Sequence, residues 1–143
     1  MLQYHFNWKL LSAMAGVTFW NFYFRLFPGT IRSHQVVEFL THLLQHVPGQ
    51  VLVIWDKATT HRSKIVQDFV ASQNGRLTLE FLPGYAPELN PVEYLWGHWK
   101  QHELPNLCPK DFWQLSEHAR QALRRMRRRP RLVRAFWKQA ELF

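Results

Sequence analysis

Two carboxylates draw attention by position. Asp56 directly follows Val51-Leu52-Val53-Ile54-Trp55, a continuous β-branched and aromatic run, and Glu93 follows Asn90-Pro91-Val92, a helix-opening tripeptide. A carboxylate directly after a buried strand lies at the carboxyl edge of a sheet, where open α/β folds place their ligands. One acid ends a strand and the other opens a helix just beyond the neighbouring strand, so both share that edge. Two acids so placed offer oxygen ligands to a divalent cation and suit metal-assisted chemistry. Each also has a purely structural reading. Asp is a favoured cap for the helix that follows residue 56. Glu93 stands three after Asn90, the capping-box position, from which its side chain would bond the Asn90 N–H. His61 and Arg62 follow Asp56 closely; His61 either approaches the site or a phosphate, or is a surface residue at the start of the next helix.

The elements that must position these residues follow from the apolar pattern. Val51–Trp55 suits a strand buried on both faces. A helix from about Arg62 to Ser72 presents Ile65, Val66, Phe69 and Val70 on one face, and Leu77–Leu82 reads as the next strand. Strand, helix and strand with short links make a βαβ unit and hence a parallel pair. Upstream, Tyr4–Phe6, Leu10–Thr18 and the aromatic-rich Phe19–Phe24 read as strands of a hairpin or meander, with Gly16 a bulge or bend and Pro28-Gly29 a turn. Ser33 reads as the N-cap of a helix whose stripe is Val36, Val37, Phe39, Leu40, Leu43, Leu44 and Val47, closed by Pro48-Gly49. Downstream of Asn90 the stripe is Val92, Leu95, Trp96 and Trp99, with both tryptophans assigned to the core. A later helix carries Phe112, Leu115, Ala119, Leu123 and Met126, Pro130 breaks it, and a short final helix offers Leu132, Val133, Phe136 and Trp137.

Composition bounds the class. The 143 residues are 47% hydrophobic and 20% charged, and seven Trp with eleven Phe supply a core, which excludes a disordered chain. No apolar run approaches the roughly 20 residues of a membrane helix, and no signal segment opens the sequence. The single cysteine, Cys108, excludes a disulfide framework and a Cys-rich zinc module. The pairs His42/His46 and His98/His102 have zinc-compatible helical spacing but no evident third ligand. A soluble, cytoplasmic domain is expected. Its net charge of +8 points to an anionic partner. Residues 1–95 carry seven basic and six acidic side chains, whereas residues 96–143 carry eleven and four. The excess is densest at Arg124-Arg125-Met126-Arg127-Arg128-Arg129-Pro130-Arg131. Such a run is either a solvated helix end or a phosphate-binding surface without sequence reading.

Two stretches resemble a known family. Val51-Leu52-Val53-Ile54-Trp55-Asp56 with His61-Arg62-Ser63 is similar to the second catalytic block of mariner-superfamily DDE transposases, in their bacterial insertion-sequence branch. Leu82-Pro83-Gly84-Tyr85-Ala86-Pro87-Glu88-Leu89-Asn90-Pro91-Val92-Glu93-Tyr94-Leu95-Trp96 is similar to the third. Weaker likeness covers His5–Ser12, Phe22–Ser33 and Pro130–Trp137. The resemblance implies an RNase H-like α/β fold, a mixed sheet flanked by helices. It also implies carboxylates around two Mg2+ or Mn2+ ions that cleave transposon ends and join them to target DNA. On this likeness Asp56 bridges both ions and Glu93 binds one. Lys57 stands where the branch usually has Asn, and would compete with metal or contact a phosphate. DNA contacts are expected from Lys57, His61, Arg62, Arg124, Arg125, Arg127, Arg128, Arg129 and Arg131.

The sequence departs from the family in a larger respect than Lys57. The first acidic residue is Glu38, so the family's first catalytic Asp, and the central strand that carries it, are missing, as is the helix-turn-helix that reads DNA. Residues 1–143 are therefore expected to form a single partial catalytic domain. Its parts are strands over 1–32, a core with two catalytic carboxylates over 33–95, and basic helices over 96–143. A two-acid site should bind metal weakly, and a sheet lacking its middle strand should expose unpaired backbone. Expected partners are DNA, a second copy or the missing upstream transposase part, and no membrane. The expected setting is a prokaryotic cytoplasm, associated with DNA. A remnant without catalysis, binding DNA or a full-length transposase, is the alternative.

Overall fold

The computed structural model describes residues 3–5, 11–84, 87–103 and 112–140. The chain opens as an antiparallel meander of β1 (Gln3–His5), β2 (Leu11–Val17) and β3 (Phe22–Pro28). The ladder between β2 and β3 runs without a break from Leu11↔Pro28 to Val17↔Phe22. Gly16, expected as a bulge or bend, instead sits in regular register opposite Tyr23. Phe19 and Trp20, expected within a strand, form the tip of the turn. The Thr18 N–H donates to the Asn21 carbonyl (2.8 Å), and Asn21 Oδ1 accepts the Phe22 N–H (2.8 Å), so short polar side chains close the reversal.

Alternation along β2 divides the interior in two. Leu11, Ala13 and Ala15 face one core with Phe22, while Met14 and Phe27 face the other. The second core is built on α1 (Ser33–His46), β4 (Val51–Trp55), α2 (Lys64–Ser72) and β5 (Leu77–Phe81). Arg32 rather than Ser33 is the N-cap of α1, because the Gln35 side chain reaches back to accept the Arg32 N–H (2.8 Å). At its other end Arg76 donates to the carbonyls of Val47 (3.0 Å) and Gly49 (3.1 Å), tying the α1 terminus to the turn before β5.

Strands β4 and β5 pair in parallel, Val51↔Leu77 through Trp55↔Phe81, with α2 as the crossover. The βαβ unit is as the spacing predicts. Burial of β4 on both faces is not: Val53 and Trp55 are buried, whereas Leu52 and Ile54 are 57% and 53% exposed. Leu52 and Ile54 line an open cavity of about 310 Å³, bounded on the other side by Gly16 and Val17 of β2 and by Asn90, Pro91 and Trp137. Ile65, assigned to the inner face of α2, points to solvent, and Val66 is the residue of α2 that is buried. Among the described residues no ladder joins the two sheets, and β4 is paired on the β5 side alone.

The first core is closed by α3 (Pro91–His98), α4 (Phe112–Arg127) and α5 (Pro130–Gln139). Val92, Leu95, Trp96 and Trp99 are buried, as are Leu115, Ala119, Leu123, Met126, Val133 and Phe136. Helix α3 continues into a π-helical turn at Trp99–Glu103. Phe6, Leu10 and Cys108 lie outside the described residues, as does the side chain of Phe112.

Candidate active site

Asp56 leaves β4 at the carboxyl end of the parallel pair, where the Leu82 N–H still donates to the Trp55 carbonyl (2.7 Å). Its Oδ1 accepts the Ala58 N–H at 3.0 Å and lies 3.0 Å from His61 Nδ1. Ser63, not Asp56, caps α2, accepting the Val66 N–H (3.4 Å). The helix-cap reading of Asp56 therefore falls away. His61 is buried and stacked flat on Trp55, with ring centroids 4.1 Å apart and planes 7° from parallel. Its Nδ1 also lies 3.2 Å from the Asp56 carbonyl. Two acceptors on one ring nitrogen place the proton there. His61 is thus neither a surface residue nor a phosphate contact on an open face; it holds the Asp56 carboxylate in one orientation.

Burial would raise the Asp56 carboxyl, but the His61 hydrogen bond and the Ala58 N–H outweigh it and hold the group below its usual value. Asp56 is accordingly an anion whose side chain keeps 35% of its surface open. Both hydrogen bonds fall on Oδ1, which leaves Oδ2 as the oxygen for a ligand.

Glu93 sits in the first turn of α3. Asn90 caps this helix, its side chain accepting the Val92 N–H (3.2 Å), and Pro91 follows at the first position. The Asn90 N–H, the partner a capping box would need, already donates to the Pro87 carbonyl (3.0 Å). Glu93 is therefore not engaged as a cap. Its carboxyl is raised by burial first and by the negative charge of Asp56 second. That coupling brings the two acids into one electrostatic site.

A divalent cation fits this donor set. Mg2+ and Mn2+ prefer carboxylate oxygen, and a cation would offset the burial and the Asp56 charge that together raise Glu93. The pair is a partial set, since among the described residues no group of three or more His, Cys, Asp or Glu side chains could hold a metal. Lys57 and Arg62 are exposed on either side of the turn that carries His61.

The arginine run is not uniform. Arg125 reaches Oε2 of the partly buried Glu103 at 3.4 Å, while Arg129 and His98 reach its Oε1 at 3.9 Å and 3.5 Å. Arg127 lies over the Phe24 ring, 5.4 Å from its centroid. Arg124, Arg128 and Arg131 are exposed. Sequence reasoning misses the hub at Glu103, because nothing local tells a lone acid near a basic run that it will be enclosed.

This hub gives an acid-stability prediction. His98 is held below its usual value by burial first and by His102 second, against the opposing pull of Glu103. A histidine whose folded pKa is lowered binds its proton more readily when unfolded. Its stabilising effect is then complete above about pH 6.5 and fades as pH falls below that value. Thermal melts between pH 8 and 5 should show Tm falling below about pH 6.5, with a shallower fall in His98→Gln. A melt curve flat across that window in the unsubstituted protein would refute it.

A meander followed by a parallel βαβ pair, with helices on both sides and acids at the carboxyl edge, defines an RNase H-like mixed α/β fold. Solved structures agree. The catalytic domain of the Mos1 mariner transposase superposes with a TM-score of 0.67 at 18% identity, over 98% of this chain and 72% of that one. The same domain with raltegravir and Mn gives 0.69 at 18% identity, over 98% and 76%. In the Mos1 paired-end complex with the left transposon end the values are 0.69 and 14%, over 96% of this chain and 42% of that one. No curated protein matches the sequence. The family model described as DDE superfamily endonuclease matches residues 3–116, and the chain belongs to that family.

Proposed function

We propose that this chain is the catalytic-domain part of a DDE transposase of the bacterial insertion-sequence branch. Its chemistry would be divalent-metal-dependent cleavage and strand transfer at transposon ends. The observation that carries the reading is the coupled pair of Asp56 and Glu93 at the sheet edge of a DDE-family chain. The Mos1 structures, with Mn or Mg in some and with transposon-end DNA in others, support the cofactor and partner classes by likeness. Asp56 and Glu93 would hold the cation, which when bound activates a nucleophile and stabilises a leaving oxygen in phosphoryl transfer. His61 keeps the Asp56 carboxylate ionised and aimed, and Lys57 and Arg62 offer charge to the DNA backbone.

The unjoined sheets, and the lack among the described residues of a third acid grouped with this pair, support a further reading: an additional strand bridges the β1 edge of the meander to β4 and brings a third carboxylate. The same two features favour the second reading, a remnant without catalysis that binds DNA or a full-length transposase. One experiment separates them. The chain is joined to the upstream coding frame, and Mg2+- or Mn2+-dependent nicking of a transposon-end duplex is measured. Nicking by the joined protein supports the enzyme. Binding without nicking, in either metal, supports the remnant.

DNA binding through the C-terminal helices carries its own test. Arg124, Arg128 and Arg131, each replaced by Ala, should weaken duplex binding at all sequences and lower the salt slope by about 1 for every phosphate left without its cation. Arg127→Ala should act on stability more than on affinity, since it covers Phe24. Fluorescence anisotropy titrations across a salt series measure affinity and slope, and urea unfolding measures stability. Slopes in all four variants equal to that of the unsubstituted protein would remove the arginine run from the DNA interface.

A further inference from the structure

The tip of the β2–β3 turn and helix α5 enclose a cleft of about 280 Å³ that the proposed chemistry does not use. Its walls are Phe19, Trp20, Trp137, Arg134 and Lys138. Phe19 and Trp20 are 47% and 61% exposed, a large aromatic area to leave in water. They are not loosely held. Trp137 Nε1 donates to the Thr18 carbonyl (2.6 Å), the Phe19 and Trp137 rings lie 5.3 Å apart, and the Thr18–Asn21 bonds close the turn. The rings are thus presented on a rigid mount.

Among the described residues the charge beside them has one sign. Arg131, Arg134 and Lys138 recur at i, i+3 and i+7, so they form a single stripe along α5, and all three are exposed. The stripe starts where the arginine run ends and leads into the cleft, and no acid among the described residues lines it. A track of cations for phosphates that ends in exposed aromatic faces is the arrangement that binds single-stranded nucleic acid, the bases stacking on the rings. A protein partner would be served by the aromatics but would not need the cation stripe; paired DNA would be served by the stripe but would leave the rings idle.

We infer that this cleft binds an unpaired stretch of DNA, stacking at least one base on Trp20 or Phe19 with the neighbouring phosphates on Arg134 and Lys138. The inference rests on the reading that the protein acts on DNA, and its test separates the two. Anisotropy is measured for the full chain with a blunt duplex and with the same duplex bearing an unpaired tail. The tail should raise affinity, and Trp20→Ala should remove roughly ten-fold or more of the tailed-duplex affinity while leaving the blunt duplex unchanged. Trp20→Phe should retain most of it. Photocrosslinking of an iodouracil in the tail should map to Phe19, Trp20 or Trp137. Blunt duplex bound with no gain from the tail overturns this inference alone. Failure to bind either DNA overturns it together with the DNA reading of the whole chain. Equal losses for both DNAs in Trp20→Ala would make the cleft part of a duplex surface or of the fold, and would also overturn it.

Discussion

On the proposed function, Asp56→Ala should abolish metal-dependent strand cleavage by the chain joined to an upstream transposase part, a loss on the order of a thousand-fold or more. The argument is local. Asp56 is the acid whose ionisation the fold secures, through His61 and the Ala58 N–H, and whose Oδ2 remains for a cation. Glu93→Gln should fall comparably, because it removes the second oxygen charge while keeping shape. His61→Ala should lie between, at about 10–100-fold, since it leaves the carboxylate in place but free to turn. The 143-residue chain tested alone should show little or no nicking in Mg2+ or Mn2+. Assays on supercoiled plasmid, with folding of each variant checked by circular dichroism, decide these points. Nicking by the pure chain that vanishes in Asp56→Ala would overturn the claim that it needs a further part. Full activity of Asp56→Ala in the joined protein would end the assignment of the site.

Trp55→Ala should destabilise the fold by about 3–5 kcal/mol, as for other buried tryptophans. Trp55 is fully buried in the core shared by α1, β4 and α2, and it also supplies the surface on which His61 lies. Set against a total of about 5–15 kcal/mol for a domain, the loss should lower Tm by about 10 °C or more. Trp55→Phe is the informative comparison. The indole Nε1 is buried with no hydrogen-bond partner among the described residues, so Phe keeps much of the packing and removes an unmet donor. It should lose far less than Ala. Urea unfolding of both variants gives the answer, and a Trp55→Ala loss under about 1 kcal/mol would show that the site does not rest on this core.

How much of this is legible in the sequence depends on the range of the interaction. The βαβ unit, the α3 stripe and the break at Pro130 are local patterns, and they form as expected. The faces of β4 differ from expectation because an apolar run does not say whether a partner covers both sides; Leu52 and Ile54 border a cavity. Glu93 fits a capping box by spacing, yet the turn at Pro87–Leu89 satisfies the Asn90 N–H first. The sequence puts His61 in the right neighbourhood, but its role depends on the chain folding it back onto Trp55. The Thr18–Asn21 closure converts two aromatics from strand residues into a tip, a difference made by only two polar side chains.

The division of the interior by β2 has a mechanical meaning. Trp55, beside Asp56, belongs to one core, and Val92 and Leu95, flanking Glu93, belong to the other. The two acids are therefore carried by separate packed bodies that share the β2–β3 sheet as a common wall, and the segments that lead into them, at Ile54 and at Asn90, Pro91 and Val92, line one open cavity. Their separation is a variable set by how those bodies are braced, like the gap of a pair of jaws. A group that filled the cavity would change how the two bodies are braced, and would thereby couple to any cation the two acids hold.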